Sequence, residues 1–288
     1  AGALVISLPL GTLLALAITK TSLWGRGLLR RGVIVMLFVP LYVQAAAWQA
    51  CLGQGGWLSD RGWLTGWRGA IWIHGVASIA WVVLLVSAAL RKVPRALEEE
   101  ALQNTTPWRV LLQVSLPAAR PALGAAALWI AVICCSEIAV TDLLQVRTFA
   151  EEVYTAASLG TLDSLAAEPV LSGSAQGSVW VARELLLGTL AIACLIAAAV
   201  TALWQGGSAT YYTARASDWT WQLRPRQWPL VLAVWLLVAV VVGAPLLGLL
   251  GKAGAQLTPT ETGVHSSWSA RQAVTLIAAS PWQHRREL

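Results

Sequence analysis

Charge is what this 288-residue sequence has least of: Asp, Glu, Lys and Arg make up 12% of it, against 57% hydrophobic residues. Its mean hydropathy is +0.64. Soluble domains carry roughly a quarter charged residues, so this scarcity excludes an ordinary water-soluble globule and points to a chain embedded in lipid. The spacings that support common chemistry are missing as well. There is no HExxH, no GxSxG and no pairing of histidines, which removes the usual metalloprotease and serine-hydrolase arrangements. GxxxxGK[ST] is absent, and with it a phosphate-cradling loop for ATP. Cys51, Cys134, Cys135 and Cys194 lie in or beside apolar runs with no CxxC spacing, and read as small buried residues rather than disulfide or metal partners. The net charge of +6 is spread over several loops and forms no patch or stripe, so nucleic acid is not an expected partner.

What the sequence does have is apolar length. Six runs, approximately 2–19, 32–52, 70–90, 121–141, 181–204 and 229–250, are long enough to cross a bilayer as helices. They are continuously apolar rather than alternating, which argues against a membrane β-barrel. Helices are then the way to satisfy every backbone polar group in lipid. The expected fold is an all-α, polytopic membrane helix bundle with about six transmembrane helices. The first residue is Ala inside an apolar run and the last four are Arg285-Arg286-Glu287-Leu288, so the chain reads as a piece of a longer polypeptide.

Orientation follows from lysine and arginine. Segments 20–31, 91–120 and 205–228 hold twelve of them, and 53–69 and 142–180 hold three. The positive-inside rule therefore puts the first set in the cytoplasm and the second outside. Segment 205–228 is polar and reads as a cytoplasmic linker between two membrane units. Residues 269–280 are too short to span and suit the outer interface. Trp24, Trp48, Trp57, Trp63, Trp67, Trp72, Trp204, Trp221 and Trp228 lie near the ends of apolar runs. They read as an interfacial belt, or, around Trp57–Trp67, as a docking surface for an outer partner.

One cytoplasmic segment breaks the apolar pattern: RALEEEALQNTTPWRVLLQVSLPAARPAL, from Arg95 to Leu123. Pro94 suits the start of a helix, and Glu98, Glu99 and Glu100 suit the positive end of its dipole. Asn104 is expected in the left-handed conformation that ends helices. Thr106 and Pro107 then open a second helix, with Trp108, Leu111, Leu112 and Ser115 on one face and Leu116-Pro117 as its stop. Neither helix is long enough to persist alone in water.

This segment resembles the cytoplasmic loop of inner-membrane permeases of binding-protein-dependent ABC importers. Their pattern reads E-A-A, three residues, G, nine residues, I, one residue, L-P. Aligned on Leu116 and Pro117, Glu98 takes the glutamate, Asn104 the glycine and Val114 the isoleucine; Glu99 and Glu100 replace the alanines, and Ala101 follows them. Segment 136–158, SEIAVTDLLQVRTFAEEVYTAAS, is similar to the stretch after the fifth helix of ferric-iron-type permeases, in which two permease halves share one chain. The resemblance implies the type-I importer permease fold: most of a first half in 1–204, with coupling loop 91–120, linker 205–228, and the start of a second half in 229–288. It also implies the bacterial inner (plasma) membrane, a separate ABC ATPase that hydrolyses ATP and receives the loop's helix, and a periplasmic substrate-binding protein. No cofactor is bound by this chain itself and no catalysis is its own. The substrate expected from the resemblance is ferric iron, with thiamine, a polyamine or an inorganic anion as alternatives, and a secondary transporter is the rival class.

A few polar residues stand out among the apolar ones. Glu137 is expected inside the fourth apolar helix, where a carboxylate is costly and marks function by default. With Thr141 and Asp142 it lines the outer part of the translocation path, or else it reaches the interface or pairs within the bundle. His74, alone near the end of the third run, reads as a polar contact rather than a metal ligand.

Overall fold

Glycines spaced along an apolar stretch let two helices approach closely, and that pairing organises this protein. The structure, a computed structural model, describes residues 1–53, 56, 62–158, 187–194, 220, 228–260 and 263–283. Helices α1 (Gly2–Lys20) and α4 (Gly66–Arg91) pack in parallel. Gly2 meets Ile71, Gly75 meets Ile6, and Gly11 meets Val82, in ascending order along both helices. A Cβ at Gly11 would stand 2.5 Å from that of Val82, so the missing side chain is what admits the neighbour. Small residues at such a seam gain dispersion contacts in lipid, where helix pairing has little hydrophobic drive. Pro9 lies within α1, as membrane helices tolerate.

The remaining elements wrap this pair. They are α2 (Arg26–Phe38), α3 (Leu41–Leu52), α5 (Arg95–Asn104), α6 (Pro107–Ala118), α7 (Arg120–Ser136), α8 (Ala139–Leu143) and α9 (Phe149–Ser158). After these come α10 (Trp228–Gly254), a hairpin of β1 (Ala255–Thr260) and β2 (Gly263–Trp268), and α11 (Ala270–Gln283). One core joins Leu14 and Ile18 of α1, Val82 and Val86 of α4, Leu111 of α6, Ala126 and Ile130 of α7 and Val234 of α10. A second gathers Ala45, Trp48, Ile73, Val76, Val140 and Leu144 around the Gly66 end of α4.

An all-helical membrane bundle is what the structure shows, with the two-stranded hairpin as its one addition among the described residues. Three described helices, α1, α4 and α10, are long and apolar enough to cross a membrane, and two bent pairs bring the total to as many as five. The run at 32–52 is therefore not one straight helix. It breaks at Pro40, and α2 and α3 meet at 106°. Proline has no N–H to donate, and its ring collides with the carbonyl four residues back. The run at 121–141 also ends early: α7 stops at Ser136 and Glu137 is extended. Of 181–204 only 187–194 is described, as helix; linker 205–228 lies outside the described residues except for Thr220 and Trp228.

α10 packs against both arms of the bent pair. Trp235 Nε1 donates to the carbonyl of Trp24 at 3.3 Å, and Cys51 Sγ to that of Ala244 at 2.6 Å. The polar stretch after residue 250 forms the antiparallel hairpin, paired from Ala255↔Trp268 to Thr260↔Gly263. Tryptophan has two roles here. Trp24 and Trp67 are exposed, whereas Trp48 is buried and meets Trp72 edge-on at 5.4 Å, so Trp48 is a packing anchor and not part of a belt. Trp57 lies outside the described residues.

Candidate functional site: a tethered loop and a polar cavity

The hairpin of α5 and α6 begins one short turn after α4. Pro94 stands just ahead of α5, as the chain enters extended, and Glu98 falls in the first helical turn. Its side chain does not face solvent. Glu98 is fully buried, with Lys20 Nζ 2.6 Å from Oε1 and Ser115 Oγ donating to the same oxygen at 2.7 Å. One carboxylate thus ties the end of α1 to both helices of the loop. Lys20 is the last residue of α1, where the negative end of the helix dipole favours a cation. Taking both charges out of water is costly, and only close geometry with further hydrogen bonds compensates. Glu98 therefore does not offer its charge to a partner: that charge is spent inside the chain. A lone lysine ending an eighteen-residue apolar stretch was the available signal, because such a cation needs an anion beside it.

Three further expectations for the loop change. Asn104 is the last helical residue of α5 and is not left-handed; Gln145 is the one non-glycine with positive φ among the described residues. Thr105 ends the helix in extended conformation (φ −147°, ψ 171°), donating its N–H to the carbonyl of Ala101 at 3.0 Å. Thr106, held extended ahead of Pro107, continues it. In α6 the buried residues are Val110, Leu111 and Ser115, while Trp108 and Leu112 are exposed. Nor does Leu116-Pro117 stop this helix, which continues to Ala118 before bending by 61° into α7. A π turn over Leu111–Ser115, closed by the Leu116 N–H on the carbonyl of Leu111, widens the spiral just before Pro117. That widening relieves the proline's clash with the preceding turn.

The loop's outer face then carries Glu99, Glu100 and Asn104 together with the apolar Leu97, Trp108 and Leu112. Ala101, Val114, Leu116 and Pro117 are half-buried. Arg95 and Glu99 form an exposed pair at 2.6 Å, which contributes little in solvent.

The second polar region surrounds the break at Pro40. Both amide hydrogens of Gln44 go to the broken turn, with Nε2 donating to the carbonyls of Met36 at 3.3 Å and Val39 at 3.0 Å. Beside this elbow is a cavity of about 220 Å³ whose walls include Met36, Gln44, His74, Ser78, Trp81 and Ile133. Glu137 Oε2 approaches His74 Nε2 to 3.7 Å, and both carboxylate oxygens accept from the N–H of Val140, at 3.2 and 3.0 Å. Glu137 is therefore a residue of the junction between α7 and α8 and not of a helix interior, and it pairs within the bundle. Thr141 and Asp142 do not join it. Thr141 is buried with its hydroxyl on the carbonyl of Ile138, and Asp142 is exposed. Among the described residues no three His, Cys, Asp or Glu side chains come close enough to hold a metal ion.

No family model matches the chain. It is 36% identical over 69 residues to the putrescine transport system permease protein PotI of Escherichia coli K12, over 24% of this chain and 23% of that protein. The same figures hold for the protein of that name from E. coli O6:H1. The match thus spans about a quarter of the length of these curated relatives.

Proposed function

We propose that this chain is the membrane-spanning part of a permease for an ATP-driven ABC importer, with no catalysis of its own. Its α5–α6 loop docks a separate ATPase on the cytoplasmic face of a bacterial inner membrane. The observation that carries the reading is the tethered loop: two short helices fixed to α1 through the Lys20–Glu98–Ser115 contact, with Leu97, Trp108 and Leu112 left uncovered. A lipid-surface helix would turn those apolar groups to the bilayer and needs no buried ion pair to set its angle. A part that transmits force needs both a rigid root and an adhesive face. The partial similarity to a permease of a transport system supports the same reading.

The resemblance supports a substrate-binding protein outside the membrane and a second permease half after residue 228. For the substrate, the similarity favours a small amine of the polyamine kind. Ferric iron rests on the resemblance at 136–158 alone, and no cluster of oxygen ligands accompanies it among the described residues.

The test is recovery of the ATPase subunit with the permease, measured alongside transport, for wild type and for Trp108→Ser/Leu112→Ser. Large apolar anchors at interfaces are typically worth about 2 kcal/mol or more, so the double variant should lose at least tenfold in association. Its thermal midpoint should stay unchanged, since neither side chain is buried. Full ATPase recovery and full transport by this variant would remove the docking role.

A further inference from the structure

Two buried polar groups near Pro40, with a half-buried carboxylate close to one of them, have hydrogen-bonding capacity that the described fold does not use. Gln44 spends both amide hydrogens on the elbow's carbonyls, which leaves Oε1 buried with no hydrogen-bond partner among the described residues. His74 is 5% exposed and neither ring nitrogen has a hydrogen-bond partner among them; a neutral imidazole offers one of the two as an acceptor. The half-buried Glu137 carboxylate, 3.7 Å from Nε2, accepts from the N–H groups of Val140 and Ala139, which does not exhaust its lone pairs. Gln44 and His74 line one cavity of about 220 Å³. A single water needs roughly 10–15 Å³ on the same measure, so the space holds a molecule of several heavy atoms.

The chemistry of these walls is one-sided. The acceptors of Gln44 and His74 line it with the Glu137 carboxylate 3.7 Å from His74, no lysine or arginine stands among its described walls, and Met36, Leu37, Ile133 and the Trp81 indole supply apolar surface. An unsatisfied buried amide oxygen and a half-buried carboxylate held beside His74 are both costly to keep from water. A donor with positive charge relieves both at once, and an aromatic wall adds cation–π attraction. A bare metal ion is a poor fit, since it requires more oxygen ligands than the site offers. An anion would meet the carboxylate.

We propose that this cavity binds the ammonium group of a small alkylamine, with Gln44 Oε1, His74 and Glu137 as its acceptors and the apolar wall taking the methylene chain. The proposal deepens the permease reading by giving the translocated molecule a resting place inside the bundle, and it rests on that reading for its physiological meaning. Ser78, one turn along α4 from His74, sets how much room the chain has.

The experiment uses the full chain in lipid nanodiscs and radiolabelled 1,4-diaminobutane as the probe, with 1-butanol and excess K⁺ as competitors. Saturable binding is expected that neither competitor displaces. Glu137→Gln keeps the size of the side chain and an acceptor for Val140, and should weaken binding at least tenfold; Ser78→Leu should abolish it by filling the space. Loss of saturable binding in wild type, equal displacement by 1-butanol, displacement by K⁺, or wild-type affinity in both variants would each overturn the proposal. Recovery of the ATPase subunit with the same wild-type preparation separates the two ideas. If the ATPase is retained and the amine is not, the cavity assignment alone fails. If neither is retained, the permease reading fails with it.

Discussion

Removing either member of the Lys20–Glu98 pair should do more damage than any surface change in the loop, and removing both should do less than twice as much. Each side chain is fully buried, and the two atoms stand 2.6 Å apart. Deleting one partner of such a pair leaves an uncompensated charge and typically costs about 3–5 kcal/mol. That corresponds to a shift of roughly two to three and a half powers of ten in the equilibrium between anchored and released loop. Deleting both leaves no buried charge, so Lys20→Met/Glu98→Leu should recover a large part of that loss, with coupling of about 0.5–3 kcal/mol expected for residues in contact. Ser115→Ala, which removes one hydrogen bond to a charged acceptor, should cost about 1.5–3 kcal/mol. Glu98→Lys should be the worst of the set, because it places two ammonium groups at one buried point. The assay is equilibrium unfolding in mixed micelles, read through protection of residues 95–118 from proteolysis, for the two singles and the double. A double variant whose loss equals the sum of the singles would mean that the two charges do not hold each other, and the anchoring argument would fall.

Three other outcomes follow from the same geometry. Because Asn104 sits in a helix and its side chain is exposed, Asn104→Gly and Asn104→Val should both leave transport within roughly twofold of wild type; selective failure of the valine variant would restore a left-handed turn there. Gly11→Leu drives a side chain into Val82, and overpacking of this kind costs about 1–3 kcal/mol or more, so its unfolding midpoint should drop while Gly27→Leu, which meets open space, should leave it in place. Single cysteines at Gln103 and Tyr154, both exposed, should react with an impermeant thiol reagent from opposite sides of the membrane once the four native cysteines are replaced; reaction from the same side would overturn the arginine-based orientation.

How far the sequence could be read depended on the kind of information each feature needs. Length and apolarity are local, so α1, α4 and α10 lie where the runs at 2–19, 70–90 and 229–250 place them. The break at Pro40 was visible as a residue, but its angle depends on whether something captures the freed carbonyls. Gln44, four residues on, does so through a contact that composition does not weigh. The loop's two helices follow from Pro94, the glutamates and Thr106-Pro107. Their faces do only in part: Leu111 and Ser115 are buried as the helical spacing suggests, but Val110 is buried with them while Trp108 and Leu112 stay exposed, because what the loop packs against decides the face. Glu98 shows the same limit for charge. Its pattern as a surface residue was sound at the level of one helix, and its burial is decided by Lys20, which arrives from a different one. His74 and Glu137 were each visible as polar residues in apolar surroundings, yet their approach depends on where α7 ends.

The tether at Lys20 also has a history during synthesis. Residues emerge from the ribosome in order, so α1 reaches the bilayer carrying a lysine whose counter-charge has not yet been made. Until Glu98 appears, that ammonium is kept in the watery headgroup layer by its own solvation, at the end of a long flexible stem. The glycine notches of α1 are likewise unfilled until α4 arrives with Ile71 and Val82. Nascent chains released before residue 98 should therefore carry α1 loosely, and chains released after residue 115 should hold it fast. The ion pair is thus a contact that assembly can complete only once the loop after α4 has been translated.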